Sequence, residues 1–129
     1  MKILIVDDEV DICDFVKNFL SERGFEVLVA HNGKEALAAV DEQQPPVMLL
    51  DIKMPVMNGI ETLEELKKRK NTPKIILVTA ESELEKAEEL KYAGVINYIT
   101  KPLSLIQLEK TILAVADKIK DDDDTGGGE

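Results

Sequence analysis

Four short hydrophobic runs in this sequence each stop at a residue suited to phosphate chemistry. Ile3-Leu4-Ile5-Val6 stops at Asp7 and Asp8, and Val47-Met48-Leu49-Leu50 stops at Asp51. Ile75-Ile76-Leu77-Val78 stops at Thr79, and Ile96-Asn97-Tyr98-Ile99-Thr100 runs into Lys101-Pro102. If the runs are parallel strands of one sheet, three carboxylates, a hydroxyl and an ammonium meet at its carboxyl edge, where open α/β sheets bind ligands.

Such a gathering has a cost. Two carboxylates about 5 Å apart repel by roughly 3 kcal/mol at an effective dielectric of ~20. A bound cation removes the repulsion. All-oxygen ligands favour a hard ion, and a few carboxylates plus water and a phosphoryl group suit Mg²⁺ better than a full Ca²⁺ cage. No His/Cys spacing suggests zinc. A carboxylate such as Asp51 can attack phosphorus to form an aspartyl phosphate. That product adds nearly two negative charges and three acceptor oxygens. Mg²⁺ on one side and the Lys101 point charge on another would neutralise them. Thr79 can donate to a phosphoryl oxygen, and Ala80 leaves room beside it and offers a backbone N–H. Singly, each residue has an ordinary structural reading; jointly, at the ends of the right strands, they point to phosphoryl chemistry.

The elements that must position these residues follow from periodicity. Strand-like runs begin near residues 2, 25, 47, 74 and 95. Between them, Ile12, Phe15, Val16, Phe19 and Leu20 fall on one helical face, with Gly24 as a stop. Asn32 with Glu35 forms a capping box ahead of Ala36, Leu37 and Val40. Asn58-Gly59 opens a segment with Ile60, Leu63 and Leu66 on one face. Ser82 with Glu85 caps a helix ending at Gly94, and Ser104 with Gln107 caps a last helix carrying Leu105, Leu108, Ile112, Val115 and Ile119. Five strands thus alternate with five helices. The third and fourth strands are almost continuously apolar, which marks strands covered on both faces. The expected fold is α/β: a doubly wound, five-stranded parallel sheet of order 2-1-3-4-5, whose switch point brings Asp7, Asp8 and Asp51 together.

Composition narrows the function classes. The chain has 129 residues, 44 % hydrophobic and 33 % charged, which is one ordinary globular domain. Half of the net charge of −10 sits in residues 121–129, which hold four Asp and one Glu and no Lys or Arg. Residues 1–120 therefore read as the domain and 121–129 as an acidic, glycine-rich, disordered tail. An acidic body gives nucleic acid no electrostatic reason to bind. No apolar stretch approaches the ~20 residues that cross a bilayer, and the start does not read as a signal peptide. The single cysteine, Cys13, is read as a small packed residue or a reduced surface thiol, which favours a cytoplasmic address. The single histidine, His31, is read as a surface or cap residue.

The segments Ile5-Val6-Asp7-Asp8-Glu9, Leu50-Asp51-Ile52-Lys53-Met54-Pro55 through Gly59, Val78-Thr79-Ala80 and Tyr98-Ile99-Thr100-Lys101-Pro102 resemble the receiver domain of two-component response regulators, over residues 1 to about 120. The resemblance implies a flavodoxin-like fold and a phosphorylation-activated switch that is not an enzyme beyond its own phosphoryl transfer and autodephosphorylation. It implies Asp51 as phosphoacceptor, served by a sensor histidine kinase or phosphotransfer protein. Asp7 and Asp8 would hold Mg²⁺ with Asp51 and the main-chain carbonyl of Lys53, and Thr79, Ala80 and Lys101 would contact the phosphoryl group. The Lys101–Pro102 peptide would be cis. Thr79 and Tyr98 would form the switch pair, shifting the face of the fourth helix, fifth strand and fifth helix for a downstream protein or a phosphorelay.

Two local expectations accompany the resemblance. Ile96 either packs inward or adds an apolar contact to the signalling face. Lys53 and Glu81 border the site and are placed to form an ion pair that slows loss of the phosphoryl group. Other classes fit less well. A haloacid dehalogenase type of phosphatase carries an Asp-x-Asp pattern after its first strand, where this chain has Asp7-Asp8-Glu9. A flavin phosphate would be repelled by that same acidic loop.

Overall fold

The structure, a computed structural model, describes residues 1–53, 59–70, 72–80, 82 and 95–127, with side chains as far as residue 119. Strands β1 (Lys2–Val6), β2 (Glu26–Ala30), β3 (Val47–Asp51), β4 (Lys74–Ala80) and β5 (Val95–Lys101) form one sheet of order β2-β1-β3-β4-β5. Each neighbouring pair is parallel. Helices α1 (Val10–Ser21), α2 (Gly33–Gln43), α3 (Gly59–Leu66) and a C-terminal helix (Leu105–Gly127) are the helices among the described residues. Of the expected helix capped by Ser82 and ending at Gly94, residues 83–94 lie outside that set.

The continuous apolar runs sort by alternation into two cores, as side chains of period two require. Leu4, Val6, Met48, Leu50, Ile75 and Leu77 face α2 and α3, meeting Ala36, Val40, Leu63 and Leu66. Ile3, Ile5, Val47, Leu49, Ile76 and Val78 face α1 and the C-terminal helix, meeting Cys13, Val16, Leu20, Leu108 and Ile112. Both faces of the sheet are thereby covered, and the strand ends are left to carry polar residues.

Local signals behave as their chemistry dictates. Gly24, at φ +90°, reverses the chain after α1, with Phe25 N donating to Leu20 O over 3.2 Å. Asn32 Oδ1 accepts from Glu35 N at 2.9 Å, and the Glu35 carboxylate reaches back to the N–H of His31 at 3.1 Å. Ser104 Oγ accepts from Gln107 N at 3.3 Å. In β5 the register slips between Ile75 and Ile76, so that Ile96 is an extra residue in the ladder. The bulge turns Ile96 toward the α1 core, where it packs half-buried, while Val95 and Tyr98 pack on the opposite core. Ile96 thus takes the inward option.

The C-terminal helix runs through Asp121–Asp124 to Gly127. No proline or glycine interrupts the chain between Leu105 and Gly126, and extending an existing helix is far easier than starting one.

Candidate functional site

Parallel pairing places the four strand ends at one level. Thr79 stands opposite Thr100, Ala80 opposite Lys101, and Asp51 opposite Val78 in the registers of β3, β4 and β5. Asp7 follows β1 directly, its N–H held by Ala30 O at 3.1 Å. Oxygens of Asp7, Asp8 and Asp51 all lie within 4.8 Å of one another. Lys101 Nζ donates to Asp51 Oδ2 at 2.9 Å, and the N–H of Lys53 donates to Oδ1 of the same carboxylate at 3.1 Å. The predicted carboxylates and the ammonium are therefore brought together.

Burial divides their roles. The Asp51 side chain is 3 % exposed, whereas that of Lys101 is 34 % exposed, so the lysine bridges a buried carboxylate to solvent. Asp7 is buried as well, and Asp8 is exposed. Asp7 Oδ1 accepts from Glu9 N at 2.9 Å, an Asx turn that leads into α1. Burial raises the Asp7 carboxyl from 3.8 to about 6; the Glu9 hydrogen bond opposes this, and the Asp51 charge adds to it. Burial alone would lower the Lys101 pKa, but the hydrogen bond and charge of Asp51 carry it above the ordinary lysine value. An apolar cavity of about 150 Å³ borders Asp7, Glu9 and Lys101, floored by Ile5, Leu49 and Val78. That floor is the low-dielectric surrounding that makes an uncompensated carboxylate costly.

The donor set is hard oxygen throughout, one member is solvent-facing, and the charges are undercompensated by one lysine. Those features fit Mg²⁺. Thr79 is buried at the end of β4, its hydroxyl donating to Ala80 O at 3.3 Å. Tyr98 is half-buried against the α2–α3 core, two strand positions before Thr100. The Lys101–Pro102 peptide is cis. The expected Lys53–Glu81 pair involves Glu81, which lies outside the described residues.

Two further features were not singled out as functional by spacing. A Cβ at Gly59 would lie 2.6 Å from Ile52 Cα and 2.9 Å from Asp51 O, so only glycine lets α3 start against the loop behind Asp51. Cys13 is fully buried and pushed up to about 11, chiefly by burial and then by the nearby Asp7, Asp14 and Asp8 charges. With His31 it contacts the Asp7 carbonyl. The sequence signal for that contact is faint: a histidine just after β2, and β2 adjoining β1.

A doubly wound α/β sheet with an acidic, lysine-bearing cluster at its carboxyl edge defines the class. The chain belongs to the response regulator receiver domain family, whose sequence model matches residues 3–113. It is 41 % identical over 114 residues to the transcriptional regulatory protein CpxR of Klebsiella pneumoniae, covering 88 % of this chain and 48 % of that protein. It is 38 % identical over 110 residues to the transcriptional regulatory protein ZraR of Salmonella typhimurium, covering 85 % of this chain and 25 % of that one. The chain thus spans half or less of these relatives. Among solved structures it resembles the chemotaxis protein CheY4 of Vibrio cholerae, with 34 % identity, a TM-score of 0.80 and coverage of 88 % and 97 % of the two chains. The receiver domain of the Francisella response regulator 1452 matches at 33 % identity and a TM-score of 0.82, covering 92 % and 98 %. Receiver domains are signalling switches rather than enzymes of the usual kind, and phosphorylation and Mg²⁺ are typical of the family. Among the described residues, no helix is long and apolar enough to cross a membrane.

Proposed function

We propose that this chain is a phosphorylation-activated switch in which Asp51 accepts a phosphoryl group from the phosphohistidine of a sensor kinase or phosphotransfer protein. The observation that carries this reading is the 2.9 Å bond from Lys101 to the buried Asp51, made beside two further carboxylates. An Asp51 oxygen forms the new P–O bond as the donor's P–N bond breaks, and the departing imidazole takes up a proton. Asp7, Asp8, Asp51 and the main-chain carbonyl of Lys53 would hold Mg²⁺, which supplies positive charge to the phosphoryl oxygens. Lys101 keeps its charge and trades a carboxylate oxygen for a phosphoryl oxygen. The Thr79 hydroxyl leaves the Ala80 carbonyl to donate to the same group, and the small Ala80 side chain leaves space with its N–H nearby.

The output is a population shift. Thr79 moves toward the phosphoryl group, Tyr98 turns inward behind it, and the face of the expected fourth helix, β5 and the C-terminal helix changes for a downstream protein or an onward relay. We place the domain in the cytoplasm, with no inserted segment. Its net charge of −10 opposes direct contact with nucleic acid. A link to DNA, which the names of the transcriptional relatives suggest, would run through another segment or a partner.

The test is incubation with Mg²⁺ and a small phosphodonor. A single labile adduct per chain is expected, lost in Asp51→Ala and lost with EDTA. Sustained turnover of the donor would mark a phosphatase instead, and an adduct retained in Asp51→Ala would move the acceptor elsewhere.

A further inference from the structure

Behind the acidic cluster, the main-chain carbonyl of Asp7 receives side chains from two different elements. Cys13, fully buried in α1, donates from Sγ to Asp7 O over 3.2 Å. His31, the residue after β2, places Nδ1 3.2 Å from the same oxygen. The two side-chain atoms lie 3.8 Å apart. On the other side of the residue, Asp7 N donates to Ala30 O at 3.1 Å. Both polar main-chain atoms of Asp7 are therefore tied to neighbouring elements.

A carbonyl oxygen has two lone pairs and accepts two donors. Nδ1 beside it must carry the proton, because an unprotonated nitrogen would set its lone pair against those of the oxygen. A protonated Nδ1 has no lone pair to offer the thiol, so the Cys13 hydrogen also goes to the carbonyl. That carbonyl belongs to the peptide joining Asp7 to Asp8. A peptide is planar, so holding its C=O restrains the peptide and with it the Cα positions from which the two carboxylates start. Asp8 is exposed, so packing restrains it little. Without such a hold, mutual repulsion would splay the acidic pair.

We propose that Cys13 and His31 are positioning residues for the cation site, clamping the Asp7 carbonyl so that Asp7 and Asp8 stay aligned to bind the metal. The inference rests on the Mg²⁺ reading given above. Nothing in it requires either side chain to touch the ion.

The experiment is calorimetric titration with MgCl₂ of the parent and of Cys13→Ala, Cys13→Ser, His31→Leu, His31→Asn and the double Cys13→Ala/His31→Leu, each with a melting curve in EDTA. Loss of groups that orient metal ligands typically weakens binding by about 10- to 100-fold. The double variant is expected at about tenfold weaker binding, while Ser and Asn, which keep a donor, stay within about twofold of the parent. A folded double variant that binds Mg²⁺ like the parent overturns the clamp, as do Ser and Asn variants as weak as Ala and Leu, which would mean packing alone. Proton–nitrogen NMR of the parent His31 at pH ~8 tests the same point without substitution. A protonated Nδ1 is expected, and an Nε2–H tautomer defeats the proposal. A parent that binds no Mg²⁺ fails the site reading and the clamp together; a parent that binds while folded variants match it fails the clamp alone.

Discussion

At Asp7 the chemistry of the site and the stability of the domain pull against each other. Its carboxyl is raised from 3.8 to about 6, first by burial, so the folded chain without metal holds this proton more tightly than the unfolded chain does. The penalty is absent below the lower value, grows as pH rises from about 4 to about 6, and is complete above that. A shift of that size corresponds to about 3 kcal/mol, and partial solvation leaves about 1–3 kcal/mol. Asp7→Asn keeps an oxygen for the Glu9 N–H and removes the charge. In EDTA at pH ~8 it should therefore unfold at higher denaturant than the parent, with the gain vanishing near pH ~4. In saturating Mg²⁺ the order should reverse. Urea titrations across that range check this, and a D7N variant no more stable than the parent at pH ~8 in EDTA contradicts it. Asp7, Asp51 and Lys101 were legible in the sequence because each ends an apolar run. Cys13 and His31 were not, since they act on a main-chain oxygen from different elements, and no spacing records that.

Element ends carry the next level of control. The capping residues Asn32 and Ser104 bond within three residues of themselves, so a local pattern was enough to find them. Gly59 is different. It reads as an ordinary helix-opening glycine, yet its N–H donates to Ile52 O at 2.8 Å and its missing Cβ leaves room for Ile52 Cα. Both contacts are backbone atoms of the loop behind Asp51, which cannot swing aside as a side chain would. Gly59→Ala should cost about 1–3 kcal/mol, as overpacking does, and should slow adduct formation by displacing that loop. Chemical denaturation and the phosphodonor assay measure the two effects. A G59A chain with unchanged stability and rate would show that the loop yields freely. The bulge at Ile96 also escaped the pattern, because only pairing with β4 shows an extra residue in the ladder.

Across the whole molecule, two cores on opposite faces of one sheet leave the carboxyl edge as the place where charge accumulates. On the α1 side, Arg23 lies 3.6 Å over the Phe19 ring and pairs with Glu109, tying α1 to the C-terminal helix away from the site. At the acidic cluster Lys101 pairs with Asp51 while three carboxylates lie within 4.8 Å of one another, so an external cation is a natural complement. An ion that binds only the folded state stabilises by mass action, about 2.7 kcal/mol at a hundredfold excess over Kd. Mg²⁺ at that level should raise the melting midpoint by roughly 10 °C for a domain of this size, and EDTA should reverse it. The same concentration of NaCl should give far less. Differential scanning calorimetry reads the shift, and equal effects of the two salts would mean screening rather than a site.

The sequence by itself determined the strand starts, the doubly wound order and the residues at the strand ends. Apolar alternation and local caps are encoded along the chain, and right-handed parallel crossovers leave few ways to assemble them. Only the tertiary structure decided how those ends meet: which oxygen of Asp51 faces Lys101, that Asp7 is buried while Asp8 is not, and that its carbonyl is held from α1 and β2. Those facts depend on distances between residues far apart in the chain. Such distances exist only once the sheet has formed.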